Sequence, residues 1–456
     1  MRRFLVVCVV GLLSLPIVAR AGDGNPPCPP GASPDPAGLV CVFVDKNTTA
    51  VNAQTQPSPP QDAWLTQALE SQHHLGDALE LRDAMWVGTH NSFNTVSNSP
   101  PSISNNDSNQ HVSLVKQLEV GVRGIEVDVH WNPSLWANGA KAPVVCHARP
   151  TSEQNAGCTY ERLLADELRP VGDWLRLNRR DVVLLYIEDA LDDPAAFDAA
   201  ATAIHDTIGD LVYSPPPPPP GGPPCALLPL DLKRAEVLAE GKQVVIMSGC
   251  GSAAWNATVF NDAVRAEEGN PKFDVKTCES GSVKLPAYGS TLVRFFEDST
   301  FLSTAVAGGD PGYRMTVDGI GAMVRCGVNL FGLDQVDPSD QRLEAMVWSW
   351  APKEPSSNAG MCATMDGADG RFHATSCGTA LPYACVDGAT WFVTTTTGPQ
   401  GDGTTACSAE HPGSTFAVPG SGAHAQSLRK AKGGVSDVWL AFAHDAATST
   451  WKGVGS

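Results

Sequence analysis

Gly124-Ile-Glu-Val-Asp-Val-His130 alternates aliphatic side chains with acidic or basic ones. In an extended strand the period is two, so Glu126, Asp128 and His130 share one face and Ile125, Val127 and Val129 the other. Acids are rarely buried without a partner, so the acidic face of so aliphatic a strand reads as a site rather than as core. Moving outward, other apolar runs also end on polar residues. Ala84-Met-Trp-Val-Gly-Thr-His90 leads into Asn91, Pro143-Val-Val-Cys-His147 ends on histidine, and Asp181-Val-Val-Leu-Leu-Tyr-Ile-Glu188 ends on glutamate. Gln243-Val-Val-Ile-Met247, Leu292-Val-Arg-Phe-Phe296 and Val328-Asn-Leu-Phe-Gly-Leu-Asp334 are further strand candidates. Helical patterns over residues 159–178, 195–211 and 316–326 lie between several of them. Strands alternating with helices imply a parallel sheet. The stretch 65–345 has about the length of a (β/α)8 TIM barrel, although one of its eight strands shows no apolar run. In such a barrel the C-terminal strand ends converge, which would bring two histidines, an amide and three carboxylates together.

The rest of the chain frames this α/β barrel. Met1-Arg-Arg3, the apolar run from Phe4 to Val18 and Ala19-Arg-Ala21 have the three parts of a secretory signal peptide, so residues 1–21 are expected to be removed. Residues 22–64 form a Pro/Gly-rich leader, and Pro215–Pro220 marks an inserted loop. Of 13 cysteines, Cys8 lies in the signal segment; the other twelve are even in number and form no CxxC, which favours disulfides in an oxidising compartment over zinc. Cys28–Cys41 and Cys146–Cys158 are close enough in sequence to pair, though spacing leaves the connectivity open. A net charge of −18 argues against a nucleic-acid partner. Beyond the signal segment no run is long and apolar enough to span a bilayer. A secreted protein is expected.

The chemistry follows from the donor set. Clustered carboxylates repel unless a cation joins them, and oxygen donors from Asn, Asp and Glu suit Ca²⁺, with Mg²⁺ as the alternative. The histidines then remain for acid–base work on a phosphoryl group. Thr-His90-Asn91-Ser, Arg123-Gly-Ile-Glu126-Val-Asp128, Cys-His147 and Tyr-Ile-Glu188-Asp together resemble the X domain of phosphatidylinositol-specific phospholipase C, in its calcium-dependent branch. The resemblance implies that Asn91, Glu126, Asp128 and Glu188 bind Ca²⁺. It further implies that His147 protonates the leaving group and that His90 stabilises the phosphoryl charge. His130 and Asp334 are expected near the substrate. The substrate would be a phospholipid or another phosphodiester, met through transient contact with a membrane surface. No cluster of basic residues suits a polyphosphorylated head group. Two alternatives stand beside this reading. Glycerophosphodiester phosphodiesterases resemble the chain in the barrel and the Glu-x-Asp pair, but would carry His-Arg-Gly where this chain has His90-Asn91-Ser92. A non-catalytic binding protein would act through its C-terminal part.

That part, residues 346–456, loses the strand–helix rhythm and gains Gly, Thr, Ser and Trp with four cysteines. It is expected to be a small, mainly β, disulfide-rich domain. Trp348-Ser-Trp350, Glu354-Pro-Ser356, Cys362, Cys377, Leu381-Pro-Tyr-Ala-Cys385, Cys407 and Val438-Trp-Leu440 weakly resemble a C-type-lectin-like domain with its halves in reversed order.

Overall fold

The computed structural model describes residues 61–456 except 96–107, 149–155, 219, 220, 223, 270–272, 275, 281–289, 301–313, 357, 435, 436, 449, 455 and 456, together with a short antiparallel strand pair, Ser33–Pro34 with Cys41–Val42. The expected signal peptide, most of the leader and Cys28 lie outside the described residues. Helix α1 (Ala63–Leu75) comes first, with Asp62 accepting a hydrogen bond from the Trp64 N–H as its cap.

The barrel wall begins at residues 84–90, which bridge in parallel to Gly124 on one side and to Leu330 and Leu333 on the other. Around it run β1 (Gly124–Pro133), then, after the hairpin strand β2 (Lys141–Val145) and α2 (Leu164–Leu177), β3 (Val183–Ala190). They are followed by α3 (Pro194–Ile208), β4 (Val244–Ser248), β5 (Phe260–Asn261), β6 (Arg265–Gly269), β7 (Leu292–Phe296), α4 (Val317–Cys326) and β8 (Leu330–Gly332). Parallel ladders join β1 to β3, β3 to β4, β4 to β5, β6 to β7 and β7 to β8. The ladder breaks between Asn261 and Arg265, where the chain itself carries the wall on from β5 into β6. β5 and β6 are the two wall strands the sequence did not reveal: β5 is only two residues long, and Arg-Ala-Glu-Glu-Gly of β6 has no apolar run, its partly exposed side chains making polar contacts.

Period-two alternation sorts the wall residues. Trp86, Leu184, Val245, Leu292 and Leu330 fill the lumen in one buried cluster. Val87, Ile125, Leu185, Ile246, Val293 and Phe331 point outward and join α2, α3 and α4 residues such as Leu168, Ile204 and Ile320 in another. Glu126, Asp128 and Glu188 keep the lumen parity but stand above the apolar plug. Gly88 and Gly124 face each other in the bridge between the first two wall strands. A Cβ on Gly88 would lie 2.1 Å from the Phe331 carbonyl oxygen and 3.0 Å from that of Gly124, both backbone atoms that cannot swing aside. Gly88→Ala should therefore lower the unfolding free energy by about 3 kcal/mol, read as a fall in urea midpoint at constant m-value.

One expected barrel strand is something else. β2 pairs antiparallel with β1, with Val129 opposite Val145 and Pro133 opposite Lys141. β1 outgrows the barrel mouth and turns back through Asn138 and Gly139, both at positive φ, so the run ending in His147 is the return arm of a hairpin. An apolar run alone does not distinguish a parallel neighbour from an antiparallel one.

After α5 (Gln341–Ala345) the C-terminal part forms two antiparallel sheets. One contains β9 (Cys362–Met365), β10 (Phe372–Thr375), β14 (Val438–Asp445) and β15 (Thr450–Gly453), in the order β10-β9-β14-β15. The other contains β11 (Ala384–Asp387), β12 (Thr390–Val393) and β13 (Thr415–Phe416). Two helices join them, α6 (Gly403–Glu410) and α7 (Gly422–Lys432). Composition pointed to strands and loops; α7 forms because Ser421 caps it and Ala425 and Leu428 bury one face. Trp348, Trp350, Phe372 and Leu428 share a buried cluster with Leu65 and Leu69 of α1 and the outer barrel wall, so this part is packed on the barrel. Five disulfides occur among the described residues: Cys146–Cys158, Cys225–Cys250, Cys278–Cys326, Cys362–Cys377 and Cys385–Cys407.

Candidate active site

At the C-terminal mouth of the barrel, Glu126, Asp128 and Glu188 offer carboxylate oxygens that all lie within 4.8 Å of one another. The ladder explains this, since Asp128 sits opposite Glu188 in the β1–β3 register and Glu126 is one pleat below. Burial raises the Asp128 pKa well above the usual range, and the neighbouring Glu126 and Glu188 charges raise it further. Burial also raises Glu188, reinforced by Glu126. Burial opposes ionisation of Glu126 too, but Arg294, His90 and the Asn91 N–H outweigh it and lower its pKa. Such crowding is relieved by a divalent cation with oxygen ligands, and the donor set fits one. Asn91 stands next to it, with its backbone N–H donating to Glu126 Oε2 at 3.1 Å. Its φ of 44° is a left-handed conformation that asparagine tolerates better than most residues, and it turns the chain at the strand end.

His90 lies beside this cluster, its ring 5.1 Å from that of Phe296. Its Nδ1 is 3.2 Å from Asp334 Oδ1. Asp334 is wholly buried and is held by the Ser299 N–H at 2.6 Å and the Asn109 amide at 3.2 Å, with Gln110 close by. Those donors stabilise the carboxylate. Burial works against a charged His90, yet Asp334 and Glu126 more than offset it and hold its pKa up to about 9. Asp334 is expected near the substrate; it has no exposure, and its link to the carboxylate cluster is the contact with His90 Nδ1.

The hairpin brings His147 to the same mouth from the side. The Cys146 N–H donates to the Asp128 carbonyl at 3.2 Å, and His147 follows, exposed. His130, on the Asp128 face but farther out, is buried; burial and then His147 lower its pKa. The Cys146–Cys158 disulfide anchors the return arm immediately before His147. Closing so short a loop stabilises by about 3 kcal/mol in the chain-entropy picture. The Cys146→Ser/Cys158→Ser pair should lose stability on that order, and turnover should fall by about tenfold as His147 loses its anchor. Thermal unfolding and steady-state kinetics on the purified variant check both.

Arg294 and Lys242 are the basic residues that the sequence places near strands, without forming a cluster; the structure brings Arg294 into the site, with others that the sequence does not single out. Arg294 of β7 is buried, donates to Glu126 at 2.5 Å and to Glu267 at 2.8 Å, and stacks over Phe296. Arg265 of β6 donates to the Tyr186 hydroxyl at 2.9 Å. Lys242, which precedes β4 at the opposite end of the barrel, donates to the Asp210 carbonyl. Below Asp334, Glu297 takes a forked pair of bonds from Arg342, each 2.6 Å, and accepts the Asp334 N–H at 2.7 Å. Charged residues inside Leu-Val-Arg-Phe-Phe-Glu carry the same signal as Glu126 and Asp128, which singles out Glu297 as well as Arg294. Asn109 and Gln110 had no such signal.

Residues 48–340 match the family described as the Rv2075c PI-PLC-like domain. Two curated Mycobacterium tuberculosis proteins, "Uncharacterized protein Rv2075c" of strain H37Rv and "Uncharacterized protein MT2135" of strain CDC 1551, are each 35% identical over 475 residues, covering 96% of this chain and 96% of the relative. Among solved structures, the phosphatidylinositol-specific phospholipase C of Listeria monocytogenes is 15% identical with a TM-score of 0.40, over 62% of this chain and 97% of that one. A calcium-dependent phosphoinositol-specific phospholipase C from a Pseudomonas species is 11% identical with a TM-score of 0.32, over 59% of this chain and 92% of that one. The family match over most of the chain and the near full-length relatives lead to one conclusion: this chain belongs to the Rv2075c PI-PLC-like family.

Proposed function

We propose that the protein is a secreted, metal-dependent phosphoric diester hydrolase that cleaves phosphatidylinositol or a glycosylated form of it. The observation that carries this reading is the carboxylate cluster Glu126–Asp128–Glu188 beside the His90–Asp334 pair at the barrel mouth. Asn91, Glu126, Asp128 and Glu188 would hold Ca²⁺, which when bound neutralises charge on a phosphoryl oxygen. His90, charged and oriented by Asp334, stabilises the growing negative charge on the phosphoryl group. His147 gives its proton to the leaving alkoxide, and exposure on the hairpin leaves it room to meet a lipid's glycerol oxygen. The substrate hydroxyl adjoining the phosphate attacks the phosphorus, and its proton passes to a carboxylate of the cluster, so the first product is a cyclic phosphate. Arg294 lies close enough to Glu126 to hold a second phosphoryl oxygen. The disulfides suit an oxidising compartment, and no helix among the described residues is long and apolar enough to cross a membrane.

The test is hydrolysis of phosphatidylinositol and of glycerophosphoinositol by the mature protein with Ca²⁺ and with chelator. Calcium-dependent release of a cyclic inositol phosphate from the lipid is the expected outcome. Cleavage of the deacylated diester alone would replace this assignment with a glycerophosphodiesterase. Ca²⁺ at about a hundred times its Kd should also stabilise the fold by about 2.7 kcal/mol, an increment absent in Asp128→Asn. A chelator-insensitive melting temperature would count against the metal.

A further inference from the structure

A cavity of about 330 Å³ opens far from this mouth, between α1 and the edge strand β15. Arg180 lines it and lies in the turn just before β3, at the N-terminal end of that strand, whereas Glu188 lies near its C-terminal end. It lies at the opposite end of the barrel, in the seam with the C-terminal part, the kind of junction where ligand sites form, and its volume falls in their range. Its floor is aromatic. Trp350 and Phe442 are buried, and Trp451 packs on them at 4.6 and 5.7 Å between ring centroids while remaining partly exposed. The rim mixes donors and acceptors: Gln67 and Glu70 from one face of α1, Arg180, and Thr450 and Lys452 from β15. Leu75 is the one aliphatic lining residue.

This combination selects among ligands. A hydrocarbon chain would leave Glu70, Arg180 and Lys452 facing apolar surface, which is unfavourable. A bare anion would gain nothing from three aromatic rings, and a cation, although attracted to an indole face, would be repelled by Arg180 and Lys452. A pyranose has a C–H-rich face that packs on an indole and a rim of hydroxyls that both donate and accept hydrogen bonds, and it matches the floor and the rim together.

We propose that this cavity is a saccharide-binding site in which a sugar ring stacks on Trp451 and its hydroxyls engage Gln67, Glu70 and Arg180. It is separate from Glu354-Pro-Ser356, where Glu354 already accepts the Ser356 and Ala374 N–H groups. Placed at the far end of the barrel, it anchors the protein to glycan rather than holding the reacting bond.

The experiment titrates the full mature chain with maltotriose, mannotriose and triacetylchitotriose, following the indole N–H resonances. A parallel arm measures retention on phosphatidylcholine vesicles with and without digalactosyldiacylglycerol, which separates free glycan from a lipid head group as the source. Saturable binding of at least one of these probes is expected, weakened about tenfold or more by Trp451→Ala and by Gln67→Leu. Gln67→Leu leaves the aromatic stack intact and so stands in if Trp451→Ala fails to fold. His90→Ala should bind as the parent does, which keeps this result independent of whether the chain hydrolyses phosphodiesters. No shift with any probe up to about 50 mM and no glycolipid-dependent retention, or binding that survives both variants, would overturn the proposal.

Discussion

Replacing His90 by alanine is expected to lower kcat by about 10²–10⁴-fold with the fold intact, and Asp334→Asn to approach the lower end of that range. The reasoning rests on what each side chain touches. His90 lies beside the carboxylate cluster, whereas Asp334 has no solvent exposure and touches His90 Nδ1, so in the proposed reaction it would act only through that ring. Losing the ring removes a charge from the site, while losing the carboxylate leaves the ring with a lower pKa and a less certain tautomer. pH separates the two effects. Asp334 and Glu126 overcome the burial penalty and hold the His90 pKa up to about 9, above the ordinary histidine value. A group whose pKa is raised by folding contributes stability that is complete below its unfolded pKa, near 6.5, and is lost as pH rises through the folded value. The parent should therefore lose stability between about pH 6.5 and 9, and Asp334→Asn should flatten that slope. Imidazole NMR titration checks the assignment directly: a His90 resonance titrating at or below 6.5 in the parent would refute it.

The largest stability effect is expected from Arg342→Met, a loss of about 3–5 kcal/mol. Arg342 and Glu297 are both buried and joined by two bonds of 2.6 Å, and Arg342 also donates to the Asp334 carbonyl at 2.7 Å. Removing the guanidinium strands the Glu297 carboxylate without a counter-charge, and burial already pushes its pKa up. Glu297 accepts the Asp334 N–H, so the damage extends to the residue that orients His90, and kcat should fall together with stability. Replacing both partners by apolar residues removes the stranded charge, so Arg342→Met/Glu297→Leu should recover part of the lost stability. Urea unfolding of the two variants measures this. A double variant no more stable than Arg342→Met would show that the pair holds the loop geometry by more than charge balance.

The primary sequence was enough to recognise the α/β barrel, because buried parallel strands must be aliphatic and their exceptions stand out. Glu126, Asp128 and Glu188 broke the pattern in strands otherwise made of Val, Ile and Leu, and period-two alternation put the first two on one face. The structure brings all three together with His90 and Asn91. Three things depended on the tertiary structure. Whether the run ending in His147 was barrel wall or hairpin turned on which neighbour β2 found, and hydrogen-bond partners in a sheet are chosen by distant segments. The role of Asp334 turned on burial, which Asn109, Ser299 and His90 impose from three separate places in the chain. The ion pairs of Arg294 with Glu126 and of Arg342 with Glu297 span 168 and 45 residues, and no local pattern encodes a contact at such separations. Local sequence thus determined the strands and the faces of their side chains, because backbone geometry fixes both. The arrangement of the strands around the barrel decided which faces met, because meeting requires segments distant in sequence.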